Sequence, residues 1–291
     1  MTGSLSGAAL TVKTAPVITG VGLGLREKHI EEILQTSPAI PWFEVLADNF
    51  IARGGFVPAQ LSAIREKYPI TFHCVGMSLA GVTPLDAEYL SNIKRLAEDF
   101  QPAWISDHLC FTQHGQHHFH DLLPFPYTEK TLKHVSERIL QVQDVLGQRI
   151  LVENVSSYLE FEESDLSEAQ FIAELLTISD CDLLLDLNNI HVSAQNHAFN
   201  AIDYLALMPL ERVKEVHLAG FDDRGDYLLD AHNNPVSQPV WELYQYVLGH
   251  VADIPTLIEW DNDIPPLSMV MAEANKAECL IETTFLAKGA V

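Results

Sequence analysis

The feature that most constrains this chain is a rhythm of short apolar, β-branched runs. They fall at Val17–Leu25, Trp42–Leu46, Ile70–Val75 and Ala103–Leu109, then at Arg149–Val155, Asp182–Leu187, Val213–Ala219 and Thr256–Trp260. Segments of helical period lie between them. The one beginning at Tyr127 places apolar residues three and four apart through Ile139, Leu140 and Val145, and stops at Gly147. Ser167-Glu-Ala-Gln170 has the spacing of a capping box ahead of Phe171, Ile172, Leu175 and Leu176. Strands that alternate with helices pair in parallel, because each helix carries the chain back to the same end of the sheet. Eight such units in 291 residues predict an α/β chain folded as one (β/α)8 TIM barrel domain over residues 1–291. Residues 1–16 are expected to form a flexible N-terminal extension. The alternative is an open doubly wound sheet, whose phosphate signature is G-x-G-x-x-G. Gly20-Val-Gly22-Leu-Gly24 lacks that spacing, and no acidic partner follows a second strand.

In a barrel of this type the chemistry sits at the C-terminal ends of the strands. The first run leads to Arg26, and the second carries Glu44, Asp48 and Asn49. His73 comes late in the third, Asp107-His108 ends the fourth and Glu153-Asn154 the fifth. Asp186, Asn188 and Asn189 close the sixth, His217 the seventh, and Glu259 with Asp261 the eighth. Ionisable groups in apolar strands are costly unless paired or bound to metal. Several converging carboxylates without lysine raise one another's pKa, and a multivalent cation relieves that repulsion. Imidazole mixed with carboxylate suits iron, manganese or zinc. These donors exceed the needs of one ion, so the expectation is a site of two or three. Each residue has a bland alternative. His73 and His217 could be core histidines, Glu153 a strand-end cap, and Asp186, Asn188 and Asn189 a helix start or turn. The joint pattern favours the metal reading.

A second histidine group, His114, His117, His118 and His120, follows the fourth run around Gly115, and predicts a hairpin over the barrel mouth. The first three read as surface residues, whereas His120-Asp121 is a weaker candidate for the site. Asp230 and His232 belong either to a loop over the mouth or to a turn at Asn233-Asn234. Cys74 and Cys110 read as buried inert thiols, since alternation turns Cys74 away from His73. The four cysteines form no C-x-x-C pair, which suits a reducing compartment. Forty acidic residues against 17 basic give a net charge of −23, which argues against nucleic acid or an anionic membrane as partner. The N-terminus lacks the basic region of a signal peptide, and no run approaches the roughly 20 apolar residues of a membrane span. A cytoplasmic protein is expected.

At these residues the chain resembles a known family. WFEVLADNF, HCVGMSL, SDHLCF, DLLPFPYT, LVENVSSY, LLLDLNNIHVS, HLAGF and EWDNDIP, in that order between about Gly20 and Glu282, resemble the multinuclear non-heme iron-dependent oxidases of ribosomal peptide natural-product biosynthesis. That family includes the methanobactin-biosynthesis iron enzyme, and its fold is xylose-isomerase-like. The resemblance implies two or three irons and the use of O2 to modify cysteine residues of a precursor peptide. It also implies a separate protein that presents the peptide. By the same resemblance His73, His108 and Glu153 hold one part of the cluster, and Asp186, His217 and Glu259 a second with Glu153 as bridge. Asn189, Asp230, His232 and Asp261 complete a third. His73, His108, Glu153 and His217 are the catalytic expectation. The chain departs from the family at Phe221 and Asn233, in loops that face the substrate. The rival readings are a divalent-metal isomerase or phosphodiesterase on the same barrel, and a non-catalytic metal-binding or peptide-binding module. No strand-end lysine is present for the isomerase, and only Arg26 offers a cation for phosphate.

Overall fold

Each of the eight apolar runs contributes one parallel strand to a closed barrel in the computed structural model, which describes residues 16–51 and 56–289. The expected extension over residues 1–16 lies, apart from Pro16, outside the described residues. The strands in chain order are β1 (Val21–Gly24), β2 (Phe43–Leu46), β3 (Ile70–Cys74) and β4 (Ile105–His108), followed by a hairpin of β5 (Phe111–His114) and β6 (His117–Leu123). Then come β7 (Leu151–Glu153), β8 (Asp182–Asp186), β9 (Val213–Leu218), a ribbon of β10 (Asp222–Asp223) with β11 (Leu228–Leu229), and β12 (Thr256–Ile258). The barrel closes in the order β1-β12-β9-β8-β7-β4-β3-β2. Around it lie α1 (Glu27–Thr36), α2 (Phe56–Lys67), α3 (Ala87–Phe100), α4 (Glu129–Leu146), α5 (Glu168–Ser179), α6 (Leu187–His197), α7 (Ala201–Leu207), α8 (Gln238–His250) and α9 (Leu267–Gly289).

Local chemistry sets the helix ends. Ser167 and Gln170 form the expected reciprocal cap on α5, and Gly147 ends α4 in the left-handed conformation at φ 74°. Thr128 with Thr131 caps the start of α4, a box the sequence does not advertise because threonine replaces the usual Glu or Gln. Asp86 accepts from the backbone N–H groups of Glu88 and Tyr89 to start α3.

Alternation along the strands sorts their residues into two sets. Leu23, Phe43, Val45, Phe72, Val152, Leu183, Leu185 and Val216 join the large core between barrel and helices. The opposite set points into the barrel and is graded from bottom to top. Ile18, Trp42 and Leu257 make a separate buried floor with Trp104 packed on it. The Trp42 and Trp104 rings meet edge to face, with centroids 6.4 Å apart. A Cβ at Gly22 would lie 2.4 Å from the Trp42 ring, so glycine is what admits the indole. Above this floor the inward residues are Glu44, His73, Ser106, His108, Glu153, Asp186, Glu215, His217 and Glu259. The same alternation sends Cys74 and Asp107 outward.

The turn considered at Asn233-Asn234 is not where the chain makes its hairpin. That hairpin is the ribbon of β10 and β11, and the segment after it folds back so that the Asn234 side chain donates to the Phe221 carbonyl. Gly220 allows this return, since a Cβ there would sit 2.2 Å from the Asn234 carbonyl oxygen. Gly220→Ala is therefore expected to push the 230–234 segment away and lower stability by about 1–3 kcal/mol, read by urea unfolding. An unchanged midpoint would show that the loop yields freely.

Candidate metal centre

Neighbouring strands bring their last residues level with one another. In the parallel register His108 pairs with Glu153, and Asp186 with His217. A cavity of ≈ 560 Å³ lies over them, lined by Glu44, His73, His108, Glu153 and Glu259 from the strand ends together with Phe119, His120 and Asp121 of the hairpin.

Four groups of donors interlock beneath it, and one of them, Glu44, Glu215 and His217, lies on the Nε2 side of His217. In the first of the other three, His73 Nε2 and His108 Nε2 stand 3.2 Å apart, each 3.4 Å from Glu153 Oε2. Ser106 Oγ lies 2.8 Å from His73 Nδ1 and 3.3 Å from the Phe72 carbonyl, and so holds the His73 ring in place. The second group comprises Glu153, Asp186, His217 and Glu259, with His217 Nδ1 3.0 Å from Glu259 Oε2 and 3.8 Å from Glu153 Oε1. The third comprises His232, Glu259 and Asp261, where His232 Nδ1 lies 3.2 Å from Glu259 and 3.1 Å from Asp261. Asp230 Oδ1 is 2.6 Å from the other nitrogen of His232. Glu153 and Glu259 each belong to two groups, so the three are one fused set.

The surroundings hold these groups in place. Asn154 receives the Asp186 N–H and donates to the Asp186 carbonyl, at 3.0 and 2.9 Å. Asp186 accepts the Asn189 backbone N–H, which starts α6 directly at the strand end. Ser156 and Asn188 donate to the two oxygens of Asp230. Arg26 crosses the mouth with Nε on the Trp260 carbonyl and its guanidinium on Asp261.

Burial dominates the electrostatics. It pushes Glu153 well above the carboxylate range despite the pull of His108 and His217. Burial likewise raises Asp186 to about 7 against the pull of His232, and Glu44 to about 7 against that of His217. Burial would lower His108, but Glu153 and Asp107 raise it to about 9. His217 and His232 are driven well above the imidazole range by their carboxylates, again against burial. Glu259 is held well below its usual range: burial opposes ionisation, and the two imidazoles outweigh it. The set is thus short of positive charge, which protons or metal ions must supply.

Orphaned atoms test whether metal fits. Glu153 Oε2, Asp186 Oδ2 and Asn189 Oδ1 are buried without a hydrogen bond. Oxygens of this kind, facing imidazole nitrogens in one pocket, fit a cation better than they fit one another. The donor chemistry admits iron, manganese or zinc.

The structure therefore brings together His73, His108, Glu153, Asp186, His217, Asp230, His232, Glu259 and Asp261, with Asn189 at the edge. It leaves out Asp107, which turns outward and accepts the Met77 N–H, and Asp48, which holds the Val75 N–H and the Tyr89 hydroxyl. Asn188 serves Asp230 from one side. Cys74 and Cys110 are buried and line no part of the cavity. Of the hairpin histidines only His120 lines it. Glu215 escaped the sequence reading. It is fully buried two residues before His217 on the same inward face, with its carboxylate 3.6 Å from His217 Nε2 and accepting from Trp104 Nε1. The signal was its i, i+2 relation to His217.

Comparison with known proteins identifies the family. Residues 20–282 match the family model described as RiPP precursor modification enzyme MbnB/TglH/ChrH. The chain belongs to this family. It is 49% identical over 261 residues to a UPF0276 protein of Acaryochloris marina, covering 90% of this chain and 94% of that one. It is 46% identical over 260 residues to a UPF0276 protein of an Anaeromyxobacter species, covering 89% and 92%. Among solved structures, a xylose isomerase-like TIM barrel protein from Mycobacterium smegmatis in complex with magnesium superposes with TM-score 0.58 at 10% identity, over 91% of this chain and 97% of that one. Endonuclease IV from Thermus thermophilus gives TM-score 0.58 at 17% identity, over 92% and 99%. At such identities these two show the fold alone, and the family membership carries a peptide-modifying enzyme. No helix among the described residues is long and apolar enough to cross a membrane.

Chelation tests the charge argument. Removal of metal is expected to lower the melting temperature by about 5–10 °C, the shift for an ion present at some 100-fold its Kd, and re-addition to restore it. His217→Ala should abolish the difference. Identical melting with and without chelator would contradict a metal centre.

Proposed function

We propose that this protein is an iron-dependent oxidase that uses O2 to modify cysteine residues of a ribosomally made precursor peptide, which a separate protein presents to it. The observation that carries the reading is the sharing of Glu153 and Glu259 among three donor groups. Carboxylates shared in this way suit adjacent ions, and two or three per chain match the number of donors. His73, His108 and Glu153 would hold one ion, and Asp186, His217 and Glu259 a second with Glu153 bridging. Asn189, Asp230, His232 and Asp261 would complete a third position. Iron at these positions would supply thiolate binding, with a lowered thiol pKa, and the redox chemistry with O2.

The remaining steps belong to the protein. Ser106 orients the His73 ring, and Glu44 with Glu215 fixes the face that His217 presents. The hairpin contributes Phe119 and His120 to the cavity wall. Arg26 is already committed to Asp261, Glu259 and the Trp260 carbonyl, and no lysine lines the cavity. A phosphodiester would find no uncommitted cationic side chain there to add to the metal ions, and a sugar carbonyl no ammonium to polarise it, so the isomerase and phosphodiesterase readings are weaker.

Elemental analysis of protein purified anaerobically from iron-supplied cells tests the proposal. The expected result is two or more irons per chain, falling by at least one in Glu153→Ala and in Glu259→Ala. A single zinc, manganese or magnesium that iron cannot replace would refute it.

A further inference from the structure

A second cavity, of ≈ 450 Å³, opens on the barrel flank between the loop after β7 and helices α5, α6 and α7. Its walls are aromatic, with Phe125, Tyr127, Phe161, Phe199 and Tyr204. Phe199 and Tyr204 stack with centroids 5.8 Å apart. The ionisable groups among them are Glu160, Glu168, Asp203 and His197, and neither lysine nor arginine lines the cavity. His197 is occupied, with Nε2 2.9 Å from the Ser157 carbonyl and Nδ1 3.8 Å from Glu160.

The polar floor is incompletely paired. The Tyr127 hydroxyl donates to Glu168 Oε1 at 3.1 Å. Tyr204, only 8% exposed, lies beside the same carboxyl, yet its hydroxyl makes no hydrogen bond of normal geometry. Burial raises Glu168 to about 7 while the two tyrosine hydroxyls pull it down, so a cation beside it would favour its ionised form. A half-buried carboxyl and two tyrosine hydroxyls at the end of an aromatic shaft define what the cavity accepts. Three carboxylates repel an anion. A purely apolar group would leave Glu168 and Tyr204 badly paired. The aromatic walls give a metal ion no ligands.

We propose that this flank cavity binds an organic cation, the guanidinium or ammonium of an arginine or lysine side chain of the precursor peptide. The aromatic faces attract the charge, Glu168 receives it, and the apolar walls pack the methylene stem. Leu159 and Leu207, 63% and 53% exposed at the rim, offer apolar ground to flanking residues of the peptide. The −23 net charge draws a basic segment toward the protein. The site also sits where an anchor is useful. Ser157 lines it, while the preceding Ser156 donates to Asp230 of the metal centre at 3.0 Å. A peptide held by this cavity is one loop away from the donor set. That the occupant is a peptide residue rests on the peptide-modifying reading, whereas the cation chemistry of the cavity does not.

The test is a calorimetric titration of the full-length, metal-loaded protein, kept anaerobic, with Nα-acetyl-arginine methylamide and with its uncharged citrulline counterpart. Binding of the arginine derivative at least tenfold tighter is expected. Glu168→Gln should remove that preference, and Tyr204→Phe should weaken binding about threefold. Should Glu168→Gln fail to fold, the rim variant Glu160→Gln/Asp203→Asn, altered at two exposed residues, should still reduce the preference several-fold. Equal binding of the two derivatives overturns the proposal, as does a preference that survives these carboxylate substitutions in full. Iron content and O2 chemistry are read in other experiments, so the failure of either reading leaves the other standing.

Discussion

Five carboxylates buried inside one barrel are the constraint on which the rest of this structure depends. Glu44, Glu153, Asp186, Glu215 and Glu259 are all at most 6% exposed, and the imidazoles among them are too few to neutralise every one in all protonation states. A low-dielectric interior does not tolerate such a set unless protons or metal ions balance it. The shifted titrations express the same tension from both sides, with carboxyls raised by burial and imidazoles raised by carboxylates. A multivalent cation removes it without the loss of any side chain. The architecture is consistent with that solution, because Trp42 and Trp104 close the barrel below and the hairpin and the 230–234 segment approach from above.

The fused arrangement follows from register. Adjacent parallel strands put His108 beside Glu153 and Asp186 beside His217, so carboxylates of one strand end reach the imidazoles of the next. Glu259 lies just beyond β12 and extends the set to a loop histidine, His232. The two sides of each strand do different work. Cys74 and Asp107 face the helices, where Asp107 ties the chain after β3, and they take no part in the inward set. Membership of a family of precursor-modifying enzymes points to a peptide as substrate, and the cavity on the barrel flank is where we propose part of one is held.

Much of this was legible before any coordinates. The eight apolar runs correspond one to one with the barrel strands, because fully buried parallel strands are continuous apolar segments that few other elements imitate. The strand-end rule then picked out His73, His108, Glu153, Asp186, His217 and Glu259, which the structure gathers inside the barrel, since ionisable residues stand out in such runs. It overreached at Asp107 and Asp48, where it took closeness to a strand end for inward direction. The alternation that placed Cys74 outward would have placed Asp107 with it. Glu215 was missed for the converse reason, lying in mid-strand rather than at the end. The 230–234 segment could not be settled from sequence, because its course depends on the close approach at Gly220, a contact made fourteen residues away in the chain.

Anomalous diffraction from anaerobically grown crystals, recorded on both sides of the iron absorption edge, tests the central claim most directly. The account predicts two or more iron peaks within the inward donor set, one of them beside Glu153 and another beside Glu259. A single peak, or peaks that appear only at the zinc or manganese edge, would contradict it.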